Sequence, residues 1–340
     1  MTSTLLTFVY LAEFSVALAA GWSYDANAPD GPSNWPGVCT TGTEQSPIDI
    51  NTTTVMYDSN LGDFTLVNYD NTPPGVNFTA TNKGKGLEIS FDSNVYNVSG
   101  GDLTGTYTTV QFHLHWGSSN DKGSEHTVDG MMYPAEIHFV SYNTKYPDIV
   151  ESLSHSDGLA VLGVFLQVGS NENQAYKKFL DQISYVKNMS GDEIKFSAFP
   201  LMSLLPTEKT KYYRYPGSLT TPDCQEAVTW TVFKDPVEIS QAQLDVLRMM
   251  KYNDTVNIVN NYRPVQMLSN REVKASFGMI TTAPPVTRTA PPVTTVAPSV
   301  TTAASSVTTA APSVTTDGVA LKISNVVLVL ALFLGAAFFN

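Results

Sequence analysis

Charged residues are scarce in this chain, and acidic residues outnumber basic ones. Asp, Glu, Lys and Arg together make up 15% of the 340 residues, and the formal net charge is −12. A chain with this balance repels polyanions, so nucleic acid binding is excluded. Hydrophobic residues reach 42%, which is enough to bury a sizeable core. The sequence also lacks an H-E-x-x-H motif, which argues against the zinc hydrolases that carry it.

Cysteine is rarer still, since the chain has only Cys39 and Cys224. An exported domain tends to pair an even number of cysteines, so we expect one disulfide, with two separate buried thiols as the alternative. N-glycosylation tripeptides also arise by chance, but their number here is compatible with a glycosylated exterior. They begin at Asn51, Asn77, Asn97, Asn188 and Asn253.

Histidine is rare as well, and two of the five histidines lie together in the stretch 111–116, QFHLHW. If this apolar run is a β-strand, His113 and His115 project from one face about 7 Å apart. His138 lies in a second strand-like run, AEIHFV, which could deliver a third ring to the same point. Three neutral imidazoles with an open fourth position are typical of a catalytic zinc site. Taken alone, a histidine in a strand is more often an ordinary core or surface residue than a metal ligand.

The two ends of the chain differ in composition from its middle. Residues 1–19 are apolar and end in Ala17-Leu18-Ala19, which predicts a secretory signal peptide. Glu13 and the missing basic residues are atypical of such a peptide, so a buried N-terminal helix is the alternative. Residues 279–317 consist largely of APPVT and APSVTT units, which predict an extended mucin-like stalk or a plain disordered linker.

The last segment, residues 318–340, contains fourteen consecutive apolar residues at 326–339. A bilayer span needs about 20, and no Lys or Arg follows to mark a cytoplasmic side. We therefore expect a GPI-attachment signal that is removed, with a short C-terminal membrane anchor as the alternative. The expected location is extracellular, on the outer leaflet of the plasma membrane, or secreted if no anchor is present.

The middle of the chain, residues 20–278, has no linker and no internal repeat, so we expect one domain. Strand-like runs dominate it, including Leu87–Phe91, Ala135–Val140, Leu159–Leu166 and Ala227–Phe233. Helical spacing is limited to Asn173–Tyr185 and Ser240–Met250. Ser240 precedes Gln243 by three residues, as in a helix N-terminal capping box.

Short blocks along this domain match one family in order. They are QSPIDI (45–50), QFHLHWG (111–117), GSEHTVDG (123–130), AEIHFV (135–140), GLAVLG (158–163), YPGSLTTP (215–222), AVTW (227–230) and NNYRPVQ (260–266). With Trp22 and Tyr24 matching as well, residues 20–278 resemble an α-class carbonic anhydrase. The expected fold is mainly β (α+β): a single domain around a large, twisted, mostly antiparallel central sheet with a few short peripheral helices.

The resemblance also implies a site and its chemistry. Zn²⁺ would be held by His113, His115 and His138, and zinc-bound hydroxide would attack carbon dioxide to give bicarbonate and a proton, reversibly. Thr220 and Glu125 would be the catalytic pair, because a carboxylate that accepts the Thr220 proton turns the Thr220 oxygen toward the attacking hydroxide. The family also places four residues around the ligands, which here are Gln111, Glu136, Tyr24 and Tyr215.

Carbon dioxide is small and neutral, so the resemblance implies an apolar wall for it. The matching residues are Val140, Val161, Leu219 and Trp230, with Thr221 at the border; each is also compatible with an ordinary core or turn position.

The predicted rim of the site departs from the family in two places. Lys85 stands where a proton-shuttling histidine often lies, and lysine holds its proton too firmly at neutral pH to be a good relay. Glu88 stands where the family often has a neutral amide. We therefore expect carbon dioxide hydration with slowed proton transfer. The alternative is a non-catalytic carbonic-anhydrase-like adhesion or binding module, against which the retained zinc ligands argue.

Overall fold

A 13-stranded β-sheet is the framework of the protein. The computed structural model describes residues 21–92 and 94–278. These residues contain 17 β-strands. They are β1 (Asp49–Ile50), β2 (Met56–Tyr57), β3 (Phe64–Val67), β4 (Asn77–Asn82), β5 (Leu87–Phe91), β6 (Asn97–Gly100), β7 (Tyr107–Trp116), β8 (Thr127–Val128), β9 (Ala135–Asn143), β10 (Leu159–Gly169), β11 (Glu193–Ser197), β12 (Tyr212–Gly217), β13 (Val228–Phe233), β14 (Val237–Ser240), β15 (Lys251–Asn253), β16 (Val256–Asn257) and β17 (Lys274–Ala275).

The large sheet is mixed but mainly antiparallel. Its strands follow the order β11-β4-β5-β7-β9-β10-β13-β12-β17-β2, with β14 beside β10 and the β3–β6 pair beside β7. The parallel pairs within it are β10–β13, β10–β14 and β17–β2. Two small ribbons, β1–β8 and β15–β16, complete the strand pairing of the described residues. The predicted fold class is confirmed.

The helices are short and few. They are α1 (Val38–Thr41), α2 (Ile149–Ser152), α3 (Gln174–Leu180), α4 (Ile183–Val186) and α5 (Gln241–Arg248), with 3-10 turns at Pro32–Asn34 and Leu201–Leu204. Helix α5 begins at the predicted N-cap, where the Ser240 and Gln243 side chains form a reciprocal capping box. Among residues 21–92 and 94–278, none of these helices is long and apolar enough to cross a membrane.

The prediction of one helix over Asn173–Tyr185 is wrong in its continuity, because the segment forms α3 and α4 with a break between them. At the break, the Gln182 amide donates to the Phe179 carbonyl, an i to i−3 bond that tightens the turn. The Ser184 hydroxyl also donates to the Asp181 carbonyl at 3.0 Å. Local polar bonds of this kind compete with a continuous helix.

Alternation along the strands separates a core face from a site face. In β7, Phe112 and Leu114 pack into the larger of the two main buried apolar clusters, and in β9 Phe139 joins them. Since successive side chains of a strand point to opposite faces, His113 and His115 project from the other face. Each Phe buried on the core face contributes about 1.5–3 kcal/mol to folding, so a one-residue slip of register is strongly disfavoured.

A disulfide joins Cys39 to Cys224, as predicted, and spans 185 residues of the chain. It packs against Trp35, with Trp22 and Tyr24 partly buried beside it. The bridge therefore ties the N-terminal segment to the loop between β12 and β13. The predicted signal peptide, stalk and GPI-attachment signal lie outside the described residues.

Replacing both cysteines, Cys39→Ser with Cys224→Ser, should destabilise the fold. By chain entropy, opening a loop of this length lowers the free energy of unfolding by up to about 5 kcal/mol. Urea denaturation of the exported wild type and of the double variant measures the difference, with Cys39→Ser alone to show the effect of one free thiol. Equal midpoints and slopes would show that the bridge does not constrain the unfolded chain.

Candidate metal centre

Three imidazoles converge on the site face of the central sheet. His113 and His115 come from β7, and His138 comes from β9, where the antiparallel register places it directly opposite His113. Each histidine offers one ring nitrogen, and the three nitrogens lie within 4.8 Å of one another. The ring centroids are 4.7–5.2 Å apart. The two strands thus bring together the three residues that the sequence singled out.

The second nitrogen of each ring is held by a separate oxygen acceptor. His113 Nδ1 lies 3.0 Å from Gln111 Oε1, and His138 Nε2 lies 2.7 Å from Glu136 Oε1. His115 Nδ1 lies 2.7 Å from the carbonyl oxygen of Asn261. Because each acceptor takes the ring N–H, the tautomers are fixed and the remaining nitrogens, Nε2 of His113 and His115 and Nδ1 of His138, carry lone pairs.

The free nitrogens have the properties of metal ligands. His115 Nε2 is buried and has no hydrogen-bond partner among the described residues. A buried polar atom without a partner is costly, and a cation at this point would remove that cost. Burial and the neighbouring imidazoles also lower the pKa of His113 well below its ordinary value, and burial lowers the pKa of His115. Neutral imidazoles in a set of three fit a zinc ion with one open position.

Glu136 is the buried centre of the network behind the ligands. Its Oε1 accepts from His138 Nε2 and His126 Nδ1, each at 2.7 Å. Its Oε2 accepts from the backbone amides of Glu125 and His126 at 3.0 and 2.9 Å. Burial by itself raises the pKa of Glu136, but the two imidazoles outweigh burial and hold the pKa well below its ordinary value. The carboxylate thus fixes the orientation of the His138 ring.

Space for this carboxylate is provided by a glycine on the next strand. Gly163 in β10 lies opposite His138 in the register, and a Cβ atom there would be 3.1 Å from Glu136 Oε1. A side chain at position 163 would press on the carboxylate and disturb its four hydrogen bonds.

Glu125 lies at the inner end of the site. Its Oε1 accepts from the Arg263 amide at 2.8 Å, while its buried Oε2 has no hydrogen-bond partner among the described residues. Oε2 lies 3.4 Å from His115 Nε2 without forming a hydrogen bond. Thr220 is buried in the loop after β12, but no hydrogen bond joins it to Glu125 within residues 21–92 and 94–278. The direct Thr220–Glu125 bond stays a prediction.

A cavity of about 310 Å³ opens onto the histidines. Its lining includes His113, His115 and Gln111 on the inside and Thr221 at the border. Its rim is polar, since Lys83, Lys85 and Glu88 all line it. The Lys85 ammonium lies 4.7 Å from the centre of the Trp22 ring, and Lys83 lies 3.6 Å from Glu88. The two residues that depart from the family pattern are thus both at the mouth.

The residues predicted as an apolar wall lie behind the site. Val140, Val161 and Trp230 belong to the second buried cluster, with Leu219 packed against it. The Trp230 ring is 4.8 Å from the His138 ring. These residues are not among those that line the 310 Å³ cavity. Their contact with substrate stays a prediction.

Two tyrosines expected near the ligands occupy different places. Tyr24 lines the cavity, with its ring edge-on to His115 at 6.5 Å between centroids. Tyr215 is farther away, since its hydroxyl is hydrogen-bonded to His126 Nε2 at 2.6 Å and donates to Ser46 Oγ. Its hydrogen-bonded connection to His138 therefore runs through His126 and Glu136. His155, the fifth histidine, is stacked on Tyr146 at the surface.

Sequence reasoning missed Asn261. Its carbonyl accepts from His115 Nδ1, its Oδ1 accepts from the Trp116 amide, and its Nδ2 donates to the carbonyls of Lys85 and Leu114. The residue is almost fully buried. The NNYRPVQ block marked the segment, but the role depends on a contact across 146 residues of chain. Nothing in local periodicity predicts such a contact.

Comparison with known proteins agrees with this geometry. The family model described as eukaryotic-type carbonic anhydrase matches residues 30–277. Carbonic anhydrase 3 of Homo sapiens is 39% identical over 269 residues, which cover 76% of this chain and 100% of the human protein. Carbonic anhydrase 3 of Bos taurus is 40% identical over 271 residues, with the same coverage. The chain therefore belongs to the eukaryotic-type, α-class carbonic anhydrases, the zinc-dependent enzymes that interconvert carbon dioxide and bicarbonate.

Proposed function

We propose that the chain hydrates carbon dioxide reversibly with one Zn²⁺ held by His113, His115 and His138. The observation that supports this most strongly is the convergence of three nitrogens, each on a ring whose other nitrogen is already bonded. When bound, zinc would act as a Lewis acid that makes a water molecule acidic and nucleophilic at neutral pH. The binding-module alternative has no comparable support, because such a module needs no complete ligand set.

Thr220 and Glu125 orient the attack in this proposal. An ionised carboxylate can only accept hydrogen bonds, so Glu125 Oε2, which is buried and unpartnered, is suited to accept the Thr220 hydroxyl proton. The Thr220 oxygen is then left to accept a hydrogen bond from the attacking water. The Arg263 amide holds the other carboxylate oxygen, so the orientation of Glu125 is fixed from behind.

Carbon dioxide binds against the apolar side of the site. Val140, Val161, Leu219 and Trp230 offer it no hydrogen bond, which suits a linear, neutral molecule. The position of Trp230 beside His138 supports this placement. Polar bicarbonate, in contrast, has no partner on that wall and leaves through the polar mouth.

Proton export is the slow part of the cycle in this proposal. The rim position that often holds a shuttle histidine carries Lys85, which lies on Trp22 at the cavity mouth. Lysine accepts a proton poorly at neutral pH because it already carries one. Small buffer bases that enter the mouth would then carry the proton instead.

The chain is also proposed to be exported and anchored. The signal peptide at 1–19, the stalk at 279–317 and the GPI-attachment signal at 318–340 would place the enzyme domain outside the cell, on the outer leaflet of the membrane. The disulfide supports an oxidising compartment. The glycosylation tripeptides are compatible with the same route.

Substitution of a ligand and of its neighbour should separate metal binding from rate. His115→Ala should abolish stoichiometric zinc and carbon dioxide hydration together, whereas Thr220→Ala should keep zinc and lose about a hundredfold in rate through misorientation of the nucleophile. Metal analysis and stopped-flow hydration of the purified proteins test both. His155→Ala is the matched control and should retain zinc and rate. A zinc-free His115→Ala with full activity would refute the zinc mechanism.

Proton transfer should respond to the residue at position 85. In low buffer, Lys85→His should raise turnover severalfold, because imidazole both accepts and donates a proton near neutral pH. Added imidazole should raise the turnover of the unchanged enzyme and have little effect on the variant. Lys83→His, on the same rim loop, controls for a histidine merely placed near the mouth. If neither imidazole nor Lys85→His changes the rate, proton transfer is not limiting.

Anchoring is tested by release from cells. The full chain expressed in animal cells should appear at the surface and should be released by a phosphatidylinositol-specific phospholipase. A variant that ends at residue 317 should be secreted directly, because the attachment signal is removed. Surface protein that resists the phospholipase would favour the short membrane anchor, and purely cytosolic protein would exclude export.

A further inference from the structure

The five glycosylation tripeptides fall into two groups by the exposure of their asparagine side chains. Asn51, Asn188 and Asn253 are exposed, whereas Asn77 in β4 and Asn97 in β6 are half-buried. The Nδ2 atom is the one that carries an N-linked glycan. Its hydrogen bonds in the folded domain therefore show which asparagines can carry a glycan without the loss of a contact.

At Asn253 the geometry leaves Nδ2 free. Asn253 Oδ1 accepts from the Thr255 hydroxyl and amide and from the Val256 amide, each at 3.0 Å. Nδ2 donates to no residue within 21–92 and 94–278. Asn51 has the same arrangement, with Oδ1 accepting from the hydroxyl and amide of Thr53. In both, the tripeptide hydroxyl donates to the side-chain Oδ1 atom, and Nδ2 has no hydrogen-bond partner among the described residues.

The remaining asparagines differ in the same respect. Asn188 is exposed, and its side chain makes no hydrogen bond to the described part of the chain. In contrast, Asn77 Nδ2 donates to the Gly75 carbonyl at 3.4 Å and to Asp92 at 3.5 Å. Asn97 Nδ2 donates to the Val95 carbonyl at 3.4 Å, and its Oδ1 accepts from Thr108 at 2.8 Å. A glycan at Asn77 or Asn97 would have to displace these bonds.

Two of the free asparagines, Asn188 and Asn253, lie in the same two chain segments as a group of exposed apolar side chains. We call this group the Tyr252 patch; its members and their exposed fractions are Met189 52%, Tyr252 50% and Val256 50%. Tyr252 and Val256 line one surface cavity.

Backbone hydrogen bonds hold the segments of the patch together. The Lys251 amide donates to the Lys187 carbonyl at 2.7 Å, and the Ser190 amide donates to the Tyr252 carbonyl. Asn188 lies between Lys187 and Ser190, and Asn253 follows Tyr252. The two acceptor asparagines therefore lie within the patch itself.

We propose that Asn188 and Asn253 carry N-linked glycans that cover the Tyr252 patch. Apolar side chains that cluster at a surface normally have a cover, and the C–H faces of sugar rings can pack on exposed tyrosine rings. The inference rests on the proposed export, since transfer needs a lipid pyrophosphate-linked oligosaccharide. In that transfer Nδ2 bonds the anomeric carbon, the bond from that carbon to the pyrophosphate oxygen breaks, the lipid pyrophosphate leaves and one Nδ2 proton is released.

The experiment uses the full chain expressed in animal cells with its own leader. Glycopeptide mass spectrometry should find glycans at Asn188, Asn253 and Asn51, and none at Asn77 or Asn97. The double variant Asn188→Gln with Asn253→Gln should bind severalfold more of an apolar fluorescent dye than the unchanged protein. Asn51→Gln is the matched control, because it removes one exposed glycan away from the patch and should leave dye binding unchanged. Enzymatic removal of glycans from the folded protein should reproduce the gain without any substitution.

Several outcomes would overturn the assignment. The first is exported protein that carries a glycan at Asn51 but none at Asn188 or Asn253. The second is dye binding that does not change in either the double variant or the deglycosylated protein. Concentration-dependent dimers of the glycosylated chain, lost on Tyr252→Ser, would show that a second copy covers the patch instead. If the full chain is not exported, the proposed export is wrong, and the proposed glycans have not been tested by that experiment. The same variants behind a strong secretory leader then test the glycans separately, and carbon dioxide hydration should be unchanged in all of them.

Discussion

The antiparallel pairing of β7 with β9 is the constraint on which the site depends. It places His113 opposite His138 and His115 opposite Glu136, so that three imidazoles and one carboxylate share a face within two adjacent strands. The same alternation directs Phe112, Leu114 and Phe139 into the core. A slip by one residue would exchange the two faces, placing these apolar side chains at the site and the imidazoles and carboxylate in the core. The packing of the core therefore enforces the geometry of the candidate metal centre. The positions of the imidazoles are thus set by a strand register that the burial of apolar side chains stabilises.

Burying so many polar groups is tolerable only because almost every one has a partner. Glu136 accepts four hydrogen bonds, and Asn261 forms bonds through its backbone carbonyl and both side-chain polar atoms. The backbone amide of Arg263 donates to Glu125. The Arg263 guanidinium donates to oxygen atoms of Gln45, Ser46 and Cys39. A buried polar group that lacks a partner stands out against this background. Two of the five such side-chain atoms in the described residues, His115 Nε2 and Glu125 Oε2, lie 3.4 Å apart at the candidate metal centre. These two atoms lie where a cation and the attacking water are proposed to bind, and the other three belong to Tyr96, Gln225 and Arg263.

Local pattern and the family resemblance together predicted much of this molecule. The strand at Leu87–Phe91, the cap of α5, the disulfide, the fold class and the family are all confirmed. The prediction of one helix over Asn173–Tyr185 is wrong, because a single break between α3 and α4 depends on side-chain bonds that periodicity does not contain. Asn261 was missed for a related reason, since its partners lie more than a hundred residues away. Motifs thus identify what a site contains, while contacts distant in sequence decide what holds it in place.

At the mouth of the cavity, the side chain at position 85 differs from the histidine that the family often has there, while the backbone is held by neighbouring residues. The Lys85 carbonyl accepts a hydrogen bond from Asn261 Nδ2. The backbone amide of the preceding residue, Gly84, donates to Asn82 Oδ1. Asn82 Nδ2 in turn donates to the carbonyls of Val186 and Lys251. Asn82 is fully buried, so this loop is anchored from below and its backbone does not depend on the side chain at position 85. The ammonium meanwhile lies on the Trp22 ring, an attraction of roughly 0.5–1 kcal/mol at an exposed site. A residue whose backbone is fixed by its neighbours and whose side chain rests on an aromatic face can be exchanged without rebuilding the site. The position proposed for proton export is therefore structurally separate from the cluster of His113, His115 and His138, which rests on β7, β9 and the core behind them.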